Sequence, residues 1–99
     1  MHIITRKKLR EFCIKHPEAE EPLEAWHRLT KKAKWKSLVE TRQDFPHADS
    51  VCECTVFNIG SNKYRLMTAI HYHRQRVFII HVLTHKKYDQ EKWKNDCGC

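Results

Sequence analysis

From Cys54 through Tyr88 this chain has no acidic residue. No carboxylate cluster is therefore available there to hold Mg²⁺, which takes oxygen ligands. Glycine and proline are scarce too, at two and three in 99 residues. That scarcity argues against disorder or a long flexible linker. No apolar run approaches the roughly 20 residues that span a bilayer. The opening "MHIITRKKLREF" lacks the apolar core of a signal peptide. No membrane partner and a cytoplasmic location follow as expectations. The length predicts one domain over 1–99, with one modest core.

What is present is positive charge, +7 in total. It favours a polyanionic partner such as nucleic acid, an acidic protein or a membrane surface. The first half of the chain is mixed in sign. The acid-free stretch carries Lys63, Arg65, Arg74, Arg76, Lys86 and Lys87, with His71, His73, His81 and His85.

The five cysteines are an odd number without a secretory segment, which argues against a disulfide framework. "CEC" (Cys52, Cys54) and "CGC" (Cys97, Cys99) invite a zinc reading. Their C-x-C spacing departs from the C-x(2–4)-C of common structural zinc sites. The plainer expectation places Cys52 and Cys54 in the core as alternate residues of a strand. Cys97 and Cys99 would be exposed thiols at a frayed terminus. No metal and no cofactor is expected.

His2–Ile4 reads as a short strand, and Thr5 as the N-cap of a helix over about 6–15. Leu9, Phe12, Cys13 and His16 supply its apolar stripe, and Pro17 ends it. A second helix is predicted over about 18–34, buried through Leu23, Trp26, Leu29, Thr30 and Ala33. Its acidic start and basic end suit the helix dipole. A short helix or turn follows over 35–44, then a loop. Three strands are predicted at 51–59, 63–73 and 77–84, with a turn at Gly60–Asn62, and a terminal helix from Asp89. The fold class expected is α+β, with N-terminal helices packed on one face of a small antiparallel sheet and a short C-terminal helix.

Side chains alternate across a strand, so register decides which sets meet. With "RQR" (Arg74–Arg76) as a three-residue loop, Leu66 faces Thr84, Ile70 faces Ile80 and Tyr72 faces Phe78. That makes one apolar face, which Cys52, Cys54 and Val56 would join. The other, open face would hold Arg65, His71, His73, His81 and His85, with Arg65 opposite His85 and Tyr88 just beyond.

Arginine can grip a phosphate bidentately and stabilise charge developing on it. Histidine moves protons near neutral pH. Tyrosine can bond a phosphate or stack on a base. Arg65, His85 and Tyr88 together suit metal-independent RNA cleavage, in which a 2′-OH attacks its own phosphate. Each also has a structural reading. Arg65 could pair with a carboxylate at the core edge, His85 could cap the last helix, and Tyr88 could simply pack.

"MHIIT", "FNIGSNKYRL" and "THKKYD", in this order, resemble the HigB family of bacterial type II toxins within the RelE-like superfamily. "HPEAEEPLEAWHRLTKKAKWKSLVETRQDFPHAD" resembles the family's helical region. The resemblance implies a small α+β toxin that cleaves mRNA on translating ribosomes and is neutralised by a HigA-like helix-turn-helix antitoxin. By motif position it assigns catalysis to Arg65, His85 and Tyr88. Asn62, Lys63, His71, His73, Lys86 and Lys87 are the candidate RNA contacts. "GSN" stands where the family often has Gly-Gly-Asn, and Lys87 where it often has an acid. The alternatives are a non-catalytic RNA- or ribosome-binding module on the same fold, and a zinc-binding interaction domain.

Overall fold

The computed structural model describes residues 1–99. Strand β1 (His2–Ile4) leads into α1 (Lys7–Lys15), a 3₁₀ turn (Pro17–Ala19), α2 (Glu20–Lys32) and α3 (Leu38–Asp44). Strands β2 (Asp49–Val51), β3 (Cys54–Ile59), β4 (Tyr64–His71) and β5 (Arg76–Thr84) follow, then α4 (His85–Asp89) and a 3₁₀ turn (Lys94–Cys97). No helix is long and apolar enough to cross a membrane.

The helices keep most of their predicted stripes, but Leu29, expected to be buried, is exposed. Leu9 of α1 and Leu23, Trp26, His27 and Thr30 of α2 are buried. Pro22 falls in the first turn of α2, where its missing N–H costs nothing. Thr5 does not cap α1. Its φ is +74°, and Arg6 occupies the cap position without a side-chain bond. Ser37 caps α3 by accepting from the Glu40 N–H at 3.4 Å.

The sheet order is β1-β5-β4-β3-β2. It corrects the antiparallel expectation, because β1 pairs parallel with β5, Ile3 facing Val77. The terminal amine of Met1 donates to Ala33 O and Lys31 O, which pins β1 beside the end of α2. The predicted strand 51–59 is two strands. Cys52 and Glu53 form a two-residue turn, with Cys52 at φ +54°, and Val51 faces Cys54. The β4–β5 register also differs. Leu66 faces Val82 and Tyr64 faces Thr84, with a four-residue turn at 72–75. Met67 faces His81 but Thr68 faces Ile79, so Ile80 is an extra, bulged residue. The bulge shifts the phase of β5 and brings Val77, Ile79 and Val82 to one apolar cluster.

That cluster joins Leu9, Leu23, Trp26 and Trp35 to Phe57, Ile59, Tyr64 and Leu66. Phe57 is its hub, edge-on to Trp26 at 5.5 Å and to Phe45 at 5.2 Å. By strand alternation the second cluster lies on the opposite face: Cys54, Val56 and Met67 with Trp93 and Cys97. The face expected to be open is therefore covered in part by the C-terminal segment. Cys54 and Val56 belong there, not with the helices.

The cysteine expectation is overturned as well. Cys52 is bonded to Cys99 and Cys54 to Cys97, leaving Cys13 free. The two C-x-C motifs face each other, one on a hairpin turn and one on the tail, so each finds a partner across the gap. Cys97 is completely buried rather than frayed.

Candidate functional site

The turn 60–63 and the β5–α4 junction lie at the same end of the sheet, because Tyr64 faces Thr84. Gly60, Ser61 and Asn62 all have positive φ. Ser61 thus adopts the left-handed geometry without the freedom of glycine. Thr84 caps α4 by accepting from the Lys87 N–H at 3.3 Å, so the helix starts at His85, not at Asp89. The His85 N–H donates to Lys63 O at 3.2 Å, tying α4 to the turn.

Arg65 is half-buried on β4 opposite Leu83, rather than opposite His85. Its guanidinium donates to Asn62 O at 3.1 Å and Tyr64 O at 3.3 Å. It also lies 5.4 Å from the centroid of the Tyr88 ring. These partners are carbonyls and a ring, not a carboxylate, so the cation keeps its charge available to an anion. Tyr88 stacks in turn on Trp93 at 4.9 Å, with planes 9° apart. Trp93 Nε1 donates to Tyr88 O at 2.8 Å. His85 is exposed at the first turn of α4, its Nδ1 3.2 Å from Asp89 Oδ2. Its neighbours Lys86 and Lys87 are exposed, as are Asn62 and Lys63.

Arg65, Tyr88, His85, Asn62, Lys63, Lys86 and Lys87 are thus gathered at one end. His71 and His73 are not. Six residues of extended strand separate His71 from Arg65, about 20 Å. There His71 packs against Phe78 at 5.0 Å, and His73 is exposed in the next turn. His81 of the acid-free stretch bonds Asp96 on the tail at 2.6 Å. No group of three or more His, Cys, Asp or Glu side chains is placed to hold a metal.

Sequence reasoning missed three participants. Asp89 reaches His85 by its i,i+4 spacing, a signal that was readable. Trp93 supplies the platform beneath Tyr88, and Asp96 the partner of His81. Nothing local in the sequence pairs either with the strands. Beyond the site, β1 covers β5 only from Arg76 to Phe78. A cleft of about 520 Å³ opens along the remainder, lined by Lys8, His16, His81, Thr84 and Lys87 among others.

A small α+β frame with this basic end matches one protein family over residues 19–91, described as HigB toxin, RelE-like toxic component of a toxin-antitoxin system. The class is therefore the toxic half of a toxin-antitoxin pair. The "mRNA interferase toxin HigB" of Escherichia coli (strain K12) is 32% identical over 92 residues, covering 90% of this chain and 88% of its own. The "mRNA interferase HigB" of Escherichia coli O157:H7 matches to the same extent. That of Escherichia coli O6:H1 is 28% identical over 93 residues. The chain belongs to the HigB toxin family.

Proposed function

We propose that this chain is an endoribonuclease toxin that cleaves mRNA on the translating ribosome, acting in the cytoplasm as a single RelE-like domain over 1–99. The reading rests on family membership and on one observation. Arg65 lies over the Tyr88 ring with no carboxylate among its partners, at a basic sheet end. The ribose 2′-OH attacks the adjacent phosphorus while the 5′-oxygen of the next nucleotide leaves. Arg65 stabilises the negative charge that builds on the phosphorane. His85 moves a proton, to the leaving oxygen or from the 2′-OH. Tyr88, its ring held between Trp93 and Arg65, holds the nucleotide by a hydroxyl bond to phosphate. Asn62, Lys63, Lys86 and Lys87 hold the backbone around the scissile step. His71 and His73 lie along the path of flanking nucleotides. No metal or cofactor enters this scheme.

The partner that neutralises the toxin is a HigA-like helix-turn-helix antitoxin, with an acidic segment that complements the basic face. End-group analysis tests the chemistry. Products should carry 2′,3′-cyclic phosphate and 5′-hydroxyl ends. Ribosome or RNA binding with intact RNA would favour the non-catalytic binding module instead.

A further inference from the structure

Four cysteines of this chain serve no role in the cleavage scheme, yet all four converge. The hairpin turn offers Cys52 and Cys54, and the tail offers Cys99 and Cys97. The segment they fasten also carries Trp93, whose ring and N–H both engage Tyr88. Further bonds run beside the crosslinks, Glu53 N–H to Cys97 O at 2.8 Å and His81 to Asp96 at 2.6 Å. Met67, fully buried on β4, packs in the same cluster as Cys54, Cys97 and Trp93. Met67 is two residues from Arg65 on the same side of the strand. A path of contacts runs from the buried cysteines through Trp93 to Tyr88 and on to Arg65.

We infer that the two Cys pairs form a thiol–disulfide switch that acts through Trp93 on the Arg65–Tyr88 pair, given the roles proposed for those two residues. Trp93 is then a positioning residue and the crosslinked tail its anchor. Each crosslink forms by exchange with a low-molecular-weight disulfide such as glutathione disulfide. Two protein thiols are oxidised to one disulfide, and the reagent is reduced to two thiols that carry off the protons. Reducing conditions run the exchange backwards. The tail then loses its covalent hold, Trp93 its fixed place, and Tyr88 its platform. Displacing a positioned group by about 1 Å is enough to lower a rate by as much as 100-fold.

The test uses the whole chain, oxidised with glutathione disulfide or reduced with dithiothreitol, at a temperature where far-ultraviolet circular dichroism reports a native fold in both. Alkylation and mass measurement should find one free thiol, Cys13, in the first form and five in the second. Small reagents are removed before the protein meets translating ribosomes. Reduction should slow cleavage about tenfold or more, mainly in kcat, and weaken the near-ultraviolet signal of the Tyr88–Trp93 stack. Reoxidation should restore both. The variant with Cys52, Cys54, Cys97 and Cys99 all changed to Ser should have the reduced rate in either buffer. Within the oxidised form, Trp93→Ala should lose kcat and Trp93→Phe should regain most of it.

Equal rates and equal aromatic signals in the two forms overturn the switch. So does a redox effect that survives in the fourfold serine variant, or full activity in oxidised Trp93→Ala. An oxidised toxin that cleaves no better than Arg65→Ala would instead overturn the site assignment. In that event the near-ultraviolet arm, which needs no cleavage, still decides whether the cysteines control the stack.

Discussion

Removing the crosslinks should cost this small domain a large part of its stability. Cys54 and Cys97 are 43 positions apart, and closing a loop of that length in the unfolded chain is worth ~4 kcal/mol at 25 °C. The Cys52–Cys99 bond spans 47 positions but encloses almost the same loop. It constrains little that the first leaves free, so the two contributions do not add. For a chain of 99 residues, ~4 kcal/mol corresponds to a fall in Tm on the order of 20 °C. Scanning calorimetry with and without reductant measures it, with Cys54→Ser/Cys97→Ser as the variant that no oxidant can rescue. A fall of less than about 5 °C in both would refute the reasoning, because the tail would then be held by Trp93 packing alone.

Three further outcomes follow from the core and its ionisable groups. Leu66 is completely buried between the sheet and the helices, so Leu66→Ala should cost ~2–5 kcal/mol in chemical denaturation. Burial, with Arg6 nearby, holds His27 below its ordinary 6.5, while Glu24 opposes and Lys31 reinforces the effect. The unfolded imidazole then binds a proton before the folded one does. Stability is full above pH 6.5 and should fall as pH drops from there to the folded value, a loss that His27→Gln removes. Glu18 accepts from the Tyr64 hydroxyl at 2.6 Å, which holds its carboxyl below 4.5 and pushes the phenol up to about 12. Its contribution, present above pH 4.5, should be lost below that pH, and Tyr64→Phe should shrink this second acid transition in a urea-midpoint series.

Much of the fold was legible because its signals are local. The stripes Leu9–Phe12–Cys13 and Leu23–Trp26–Thr30 placed two helices, and β-branched runs placed β4 and β5. What escaped depends on partners far along the chain. Val77 to Leu83 is apolar except for His81, so alternation carries no mark of phase, and the bulge at Ile80 could not be seen. β1 has three residues, too few to declare a parallel partner. Cys52 sits in a turn that reads as strand, since nothing in "SVCECTV" breaks the pattern. An odd cysteine count without a secretory segment argues against disulfides, yet two bonds run between the C-x-C motifs and Cys13 is the one left over. For the site, strand alternation put Arg65 and Tyr88 at one end of the sheet, and the structure sets the Arg65 guanidinium 5.4 Å from the centroid of the Tyr88 ring. Alternation also put His71 and His73 in the same set, but a shared face says nothing about distance along it. About 20 Å separates His71 from Arg65 by strand rise, and His73 lies in the turn beyond.

The central claim is that Arg65 drives mRNA cleavage on the ribosome. The most direct measurement maps mRNA 5′ ends by primer extension in a reconstituted translation reaction. It compares this chain with Arg65→Ala and with the same mRNA free of ribosomes. The account predicts discrete cuts with ribosomes, none in naked mRNA, and none from Arg65→Ala that still folds and binds its antitoxin. Cuts of equal strength from Arg65→Ala, or no cuts from folded wild-type protein, would contradict it.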